Sequence, residues 1–200
     1  MLRILILIFF LIQGVVFTQN DIKFLQSTQN VIPDFELINI DNQYYNTKNN
    51  NAKGFVVVFT CNHCPFAQLY AKRLNELSEE LKKLHVVLIA INSMDTILYE
   101  DEGFSFMQAK AQQEKATYPY LQDSDQKIGK IFRATHTPQA FVLWRENGQL
   151  IVKYQGAIDD NSNDSKKAHN YALSAVNSLL KNKKIKVPIT KSFGCKIYYR

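Results

Sequence analysis

Phe55-Val56-Val57-Val58-Phe59-Thr60-Cys61-Asn62-His63-Cys64-Pro65 changes character twice over its length. Phe55 to Thr60 is β-branched and aromatic without polar alternation, the pattern of a strand buried on both faces of a covered sheet. The strand runs directly into a Cys-x-x-Cys. Pro65 then suits the first turn of a helix, where its missing N–H costs nothing. From Phe66 the apolar residues recur at helical spacing: Phe66, Leu69, Tyr70, Leu74, Leu77, Leu81 and Leu84 share one stripe. His85 to Ile91 is a second apolar strand. The three segments predict a right-handed βαβ unit with parallel strands.

Working outward, Phe35 to Ile40 partly alternates and turns at Asp41-Asn42 into Gln43-Tyr44-Tyr45, which predicts a β-hairpin. On the other side, a helix is expected over Phe104–Lys115, an extended piece over Tyr118–Leu121, and a helix capped by Ser124 or Asp125 and running to Phe132. Thr137-Pro138 leads into a second hairpin, Ala140–Trp144 and Leu150–Tyr154, around the turn Glu146-Asn147-Gly148. A last helix is expected over Ser165–Leu180. This order predicts an α/β fold: a central mixed β-sheet flanked by helices, with an N-terminal β-hairpin extension.

At 200 residues, with 46% apolar and 12% aromatic residues, the chain can build one ordinary core. The formal charge of +6 is moderate, and its densest cluster, Lys181, Lys183, Lys184 and Lys186, has no interleaved aromatics for stacking on bases. Nucleic acid is therefore not an expected partner. Arg3 followed by the apolar run Ile4–Phe17 is short for a membrane span and right for a signal peptide. Residues 1–19 are read as a signal peptide, or as an anchor if uncleaved, the only route to the membrane. Residues 20–30 then form a flexible arm, 31–181 the folded domain, and 182–200 a C-terminal tail containing Cys195. The folded part is expected to be exported, periplasmic or secreted.

Only three cysteines occur, two of them in the Cys-x-x-Cys, so Cys195 is left over as a possible third thiol. A strand that ends at a motif opening a helix places that motif at the carboxyl end of the sheet, where open α/β folds carry their sites. Helix N–H groups and the dipole favour thiolate over thiol there. Cys61, at the mouth, is the expected nucleophile, and Cys64 the resolving thiol that closes the disulfide. His63 and Pro65 are read as modulators. A protonated His63 is expected to stabilise a Cys61 thiolate and so raise the potential above that of a Gly-Pro version of the motif. No cofactor and no metal are expected.

The Thr-Cys-Asn-His-Cys-Pro-Phe element, with Pro33-Asp34-Phe35 before it and Thr137-Pro138 after it, resembles the thioredoxin-like redoxins. It is most similar to the peroxiredoxin-like branch of the alkyl hydroperoxide reductase/thiol-specific antioxidant family. Ala90-Ile91-Asn92-Ser93, Tyr118-Pro119-Tyr120-Leu121, Gly156-Ala157-Ile158-Asp159-Asp160 and Gly194-Cys195-Lys196-Ile197 carry the same resemblance. It implies a thioredoxin-like fold, with a cis peptide at Pro138 opposite the cysteines and with Thr137 and Pro138 positioning a partner. The expected function is thiol–disulfide exchange with protein thiols and disulfides.

Two departures stand out. Phe55 occupies the place of the buried acid that serves thioredoxins as proton acceptor, and Thr60 that of their tryptophan. Nor does either cysteine complete the peroxiredoxin Pro-x-x-x-Thr-x-x-Cys, since Val57 or Gly54 stands where proline belongs. Two alternatives remain: a thiol peroxidase reducing hydroperoxides, with Cys64 or Cys195 as resolving thiol, and a non-enzymatic copper-binding module using the thiols with His63 or His136. A zinc site is disfavoured by the distance in sequence between the cysteines.

Overall fold

The computed structural model describes residues 31–200; the expected signal peptide and arm lie outside the described residues. In chain order the elements are β1 (Val31–Ile32), β2 (Glu36–Asn39), β3 (Tyr44–Asn46), β4 (Gly54–Phe59), α1 (Pro65–Leu69), α2 (Ala71–Lys83), β5 (Val86–Asn92), α3 (Phe104–Glu114), β6 (Tyr120–Gln122), α4 (Lys127–Phe132), β7 (His136–Thr137), β8 (Gln139–Glu146), β9 (Gln149–Gly156), α5 (Tyr171–Leu180) and β10 (Cys195–Lys196). Eight strands form one mixed sheet in the order β1-β9-β8-β4-β5-β6-β2-β3, and β10 pairs with β7 in a separate ribbon. Among the described residues, no helix is long and apolar enough to cross a membrane.

β4 lies in the middle, parallel to β5 and antiparallel to β8. All six of its residues are buried, which explains the missing alternation: each face meets a core. Phe55, Val57 and Phe59 join Phe132, Phe141 and Met94 on one face. Val56 and Val58 join Leu74, Leu77 and Leu81 of α2, Met107 of α3 and Val176 of α5 on the other. Side chains of this size each contribute about 1.5–3 kcal/mol by leaving water.

Several expectations need correction. The predicted single helical stripe breaks at Tyr70, whose N–H bonds back to Ala67 and whose hydroxyl donates to Asp159 at 2.8 Å. The turn this creates rotates α1 away from the core, so Phe66 and Leu69 are exposed while Leu74, Leu77 and Leu81 are buried. Of the two expected caps of α4, Asp125 takes the Lys127 amide at 3.2 Å, but it does not hold the deeper amides. The carboxylate of Asp123 does so, accepting from the amides of Ile128 (3.1 Å) and Gly129 (2.7 Å). The last helix starts at Tyr171, where the Asn170 side chain accepts from the Leu173 amide. The N-terminal hairpin forms as expected and joins the main sheet through the pairing of β2 with β6.

Candidate functional site

β4 ends at Phe59 and α1 starts at Pro65, so the Cys-x-x-Cys fills the strand-to-helix corner with Cys64 as the N-cap of α1. Across from it, β7 and β8 are joined through a cis peptide between Thr137 and Pro138. Thr137 meets both thiols. Its Oγ1 lies 3.0 Å from Cys61 Sγ, and its carbonyl accepts from Cys64 Sγ at 3.2 Å. All three cysteines carry free thiols.

The expected exposed mouth is closed. Cys61 and Cys64 are both fully buried. The C-terminal segment covers them: β10 pairs antiparallel with β7, Cys195 opposite Thr137 and Lys196 opposite His136. Ile197 packs in the same apolar cluster as Cys61 and Cys64, with Cys195 against it. Far along the chain, Cys195 is thereby brought to the strand that meets both thiols.

This closure sets the electrostatics of the pair. Cys64 falls below the usual thiol value because the Cys61 thiol donates to it; donors on Ala67 and Cys195 add to this against the cost of burial. Cys61 rises for the reciprocal reason, with burial and the negative charge of Glu102 adding, while Thr137 opposes the rise. The first proton of the pair thus leaves easily and the second with difficulty, as in any coupled dithiol.

Glu102 is the residue that the sequence reading missed. It is fully buried. It accepts from the amides of Asn62 and His63, at 2.8–2.9 Å, and from the Asn92 side chain at 2.6 Å. His63 Nδ1 meets the same carboxylate at 2.5 Å, and its ring stacks on Tyr99 at 4.6 Å. A charge on His63 is therefore matched by its neighbour, which removes much of the expected pull on Cys61. The signal available was the acidic triplet Glu100-Asp101-Glu102 ahead of α3, which reads as an ordinary helix approach. Glu102 also places a buried carboxylate beside the thiols that Phe55 does not supply.

Cys61 Sγ, a His63 ring nitrogen and a Glu102 oxygen lie within 4.8 Å of one another. A metal ion there would have to displace the amide donors already on Glu102. His136 points elsewhere, with Nδ1 bonded to Thr135 Oγ1 at 2.9 Å, so it is not drawn into the thiol cluster. Pro65 stands at the first position of α1, as expected.

Residues 28–160, more than half of the chain, match the AhpC/TSA family. This chain belongs to the AhpC/TSA family. Two solved structures of similar shape are an uncharacterized conserved protein from Geobacillus kaustophilus and a hypothetical protein, SMc02350, from Sinorhizobium meliloti 1021. Each is 26% identical with a TM-score of 0.76; the alignments cover 85% of this chain and 90% and 93% of theirs, respectively. The pneumococcal exposed lipoprotein thioredoxin from Streptococcus pneumoniae strain TIGR4 matches at 14% identity and a TM-score of 0.55, over 75% of this chain and 99% of that one. At that identity the likeness is one of fold, and the fold is thioredoxin-like. No curated protein matches the sequence. This AhpC/TSA chain thus carries its Cys-x-x-Cys between the end of β4 and the start of α1.

Proposed function

We propose that the chain is a thiol–disulfide oxidoreductase acting on protein thiols and disulfides outside the cytoplasm, with Cys61 attacking and Cys64 resolving. What supports this reading most is the placement of Thr137, which touches both sulfurs while its backbone holds an edge strand. A partner segment that replaces β10 on that edge gains the same main-chain pairing, the mode by which extended peptides add to a sheet. The step is an exchange: Cys61 forms a bond to a partner sulfur and expels the second partner sulfur as thiolate. Cys64 then attacks Cys61, releasing the partner reduced. Exposed apolar side chains on α1 (Phe66, Leu69) and on the loop carrying Tyr99 (Ile97, Leu98) suit a protein partner.

The test is a Cys64→Ser variant, in which the resolving step is lost. Mixed disulfides between Cys61 and client proteins are expected to accumulate on non-reducing gels and to disappear in the Cys61→Ser, Cys64→Ser double variant. Their absence from repeated preparations of exported protein counts against the reading.

Membership in the AhpC/TSA family favours a second reading, hydroperoxide reduction. Cys61 thiolate would attack the peroxide, leaving a sulfenic acid and an alcohol, and Cys64 would close the disulfide with loss of water. Thr137 Oγ1, 3.0 Å from Cys61 Sγ, supplies the hydroxyl that the motif lacks. Sustained peroxide consumption with a dithiol donor would promote this reading over the first.

A further inference from the structure

Cys195 is held beside Cys64 by a segment fixed on both sides of it. Before it, Phe193 packs edge-on against Phe66 at 6.0 Å and tilted against Tyr70 at 6.4 Å. After it, the Ile197 amide donates to Thr135 O at 3.0 Å, Tyr199 Oη to Ala134 O at 2.7 Å, and the buried Gln126 side chain to Tyr198 O at 2.8 Å. Gly194 makes the approach possible: it adopts φ +129°, and a Cβ there would lie 2.1 Å from Thr137 O. Opposite Thr137 in the ribbon, Cys195 faces the residue whose carbonyl takes the Cys64 thiol.

We propose that Cys195 is a third redox thiol that exchanges with the Cys61–Cys64 disulfide by attacking Cys64; this rests on the reading of Cys61 and Cys64 as a redox pair. One bond forms, Cys64–Cys195, and one breaks, Cys61–Cys64. Cys61 leaves with the electron pair and takes up a proton equivalent to the one Cys195 gives up. The number of disulfides is unchanged, so no oxidant enters at this step. Cys64 is the sulfur attacked because the ribbon sets Cys195 opposite Thr137, whose carbonyl takes the Cys64 thiol, and packs Cys195 against the cluster that holds it. Burial pushes the Cys195 thiol up to about 11, and the hydrogen bond to Cys64 and the charge of Cys64 add to the rise. Both contributions from Cys64 vanish once it is in a disulfide, so attack is easiest when there is a bond to exchange. The product pins β10 over the site and leaves Cys61 a lone thiol.

The full chain is oxidised with oxidised glutathione, quenched in acid, alkylated and analysed by mass spectrometry for disulfide-linked peptides. Both Cys61–Cys64 and Cys64–Cys195 linkages are expected, with loss of Cys195 labelling relative to the reduced protein. A Cys61→Ser variant is expected to form Cys64–Cys195 directly. If Cys61–Cys64 forms while Cys195 stays fully labelled, or joins two molecules, the proposal is overturned and the dithiol reading stands. Failure of Cys61 and Cys64 to enter any disulfide overturns both. The wild-type measurement needs no substitution, so a variant that folds poorly does not decide the outcome.

Discussion

Glu102 binds His63 Nδ1 at 2.5 Å while accepting the backbone amides of both Asn62 and His63, so one buried carboxylate fixes the loop between the two cysteines. The same charge opposes ionisation of Cys61. Position and poise are thus tied to one group.

Glu102→Gln separates these effects. The amide keeps one acceptor but turns an NH₂ toward donors, which is expected to cost about 1–3 kcal/mol of stability by leaving a buried donor unpaired. Losing the charge removes a repulsion beside the coupled pair, which is expected to ease its first ionisation and stabilise the reduced form. The disulfide becomes a stronger oxidant, by about 30 mV for each tenfold easing of thiolate formation. Equilibration with glutathione reads the potential; a fall in potential, or none, removes Glu102 from the poise of the pair.

Thr137→Val removes a hydroxyl and little volume. Thr137 lowers the Cys61 value through its hydrogen bond at 3.0 Å, so its loss should raise that value. Slower alkylation of Cys61 in a Cys64→Ser, Cys195→Ser background checks the sign. Faster alkylation there would mean that the hydroxyl holds the thiol rather than the thiolate.

The βαβ unit and both hairpins were legible because their signals are local: β4 and β5 are apolar runs, and Glu146-Asn147-Gly148 is a turn by composition. The site was legible only in part. Cys61, Cys64, Thr137 and Pro138 sit in recognisable motifs, but burial of the thiols depends on β10 reaching β7, and no periodicity in Gly194-Cys195-Lys196-Ile197 announces a strand of two residues. Glu102 is hidden for a related reason. Its role comes from donors on Asn62, His63 and Asn92, which only the folded sheet brings within reach.

The ionisation of the pair sets a pH dependence. The Cys64 value is lowered below 9.0 chiefly by the Cys61 thiol, so the reduced protein is expected to hold about one thiolate at neutral pH by ultraviolet absorbance. That signal is lost as pH falls through the depressed value; the second thiolate appears only well above 9.0. Cys61→Ala removes the donor and should move the first step back toward the ordinary thiol range. An unchanged titration in that variant assigns the low value to the amide donors of Ala67 and Cys195 instead.

Gly194→Ala tests whether the C-terminal segment controls access. A methyl group there meets Thr137 O at 2.1 Å and Thr137 C at 2.9 Å, both backbone atoms that cannot swing aside, at a φ of +129° that alanine adopts only under strain. The cheapest relief is for β10 to leave β7, because Phe193 and Ile197 can stay packed on either side while the ribbon of two residue pairs opens. Strain of this kind costs about 1–3 kcal/mol, so a modest fall in melting temperature is expected. Labelling of Cys195, and then of Cys61 and Cys64, should rise together in the reduced protein, and Cys64→Ser combined with Gly194→Ala should trap more partner than Cys64→Ser alone. If labelling rises while trapping does not, β10 shields the thiols from small reagents without competing for the partner's place on the β7 edge.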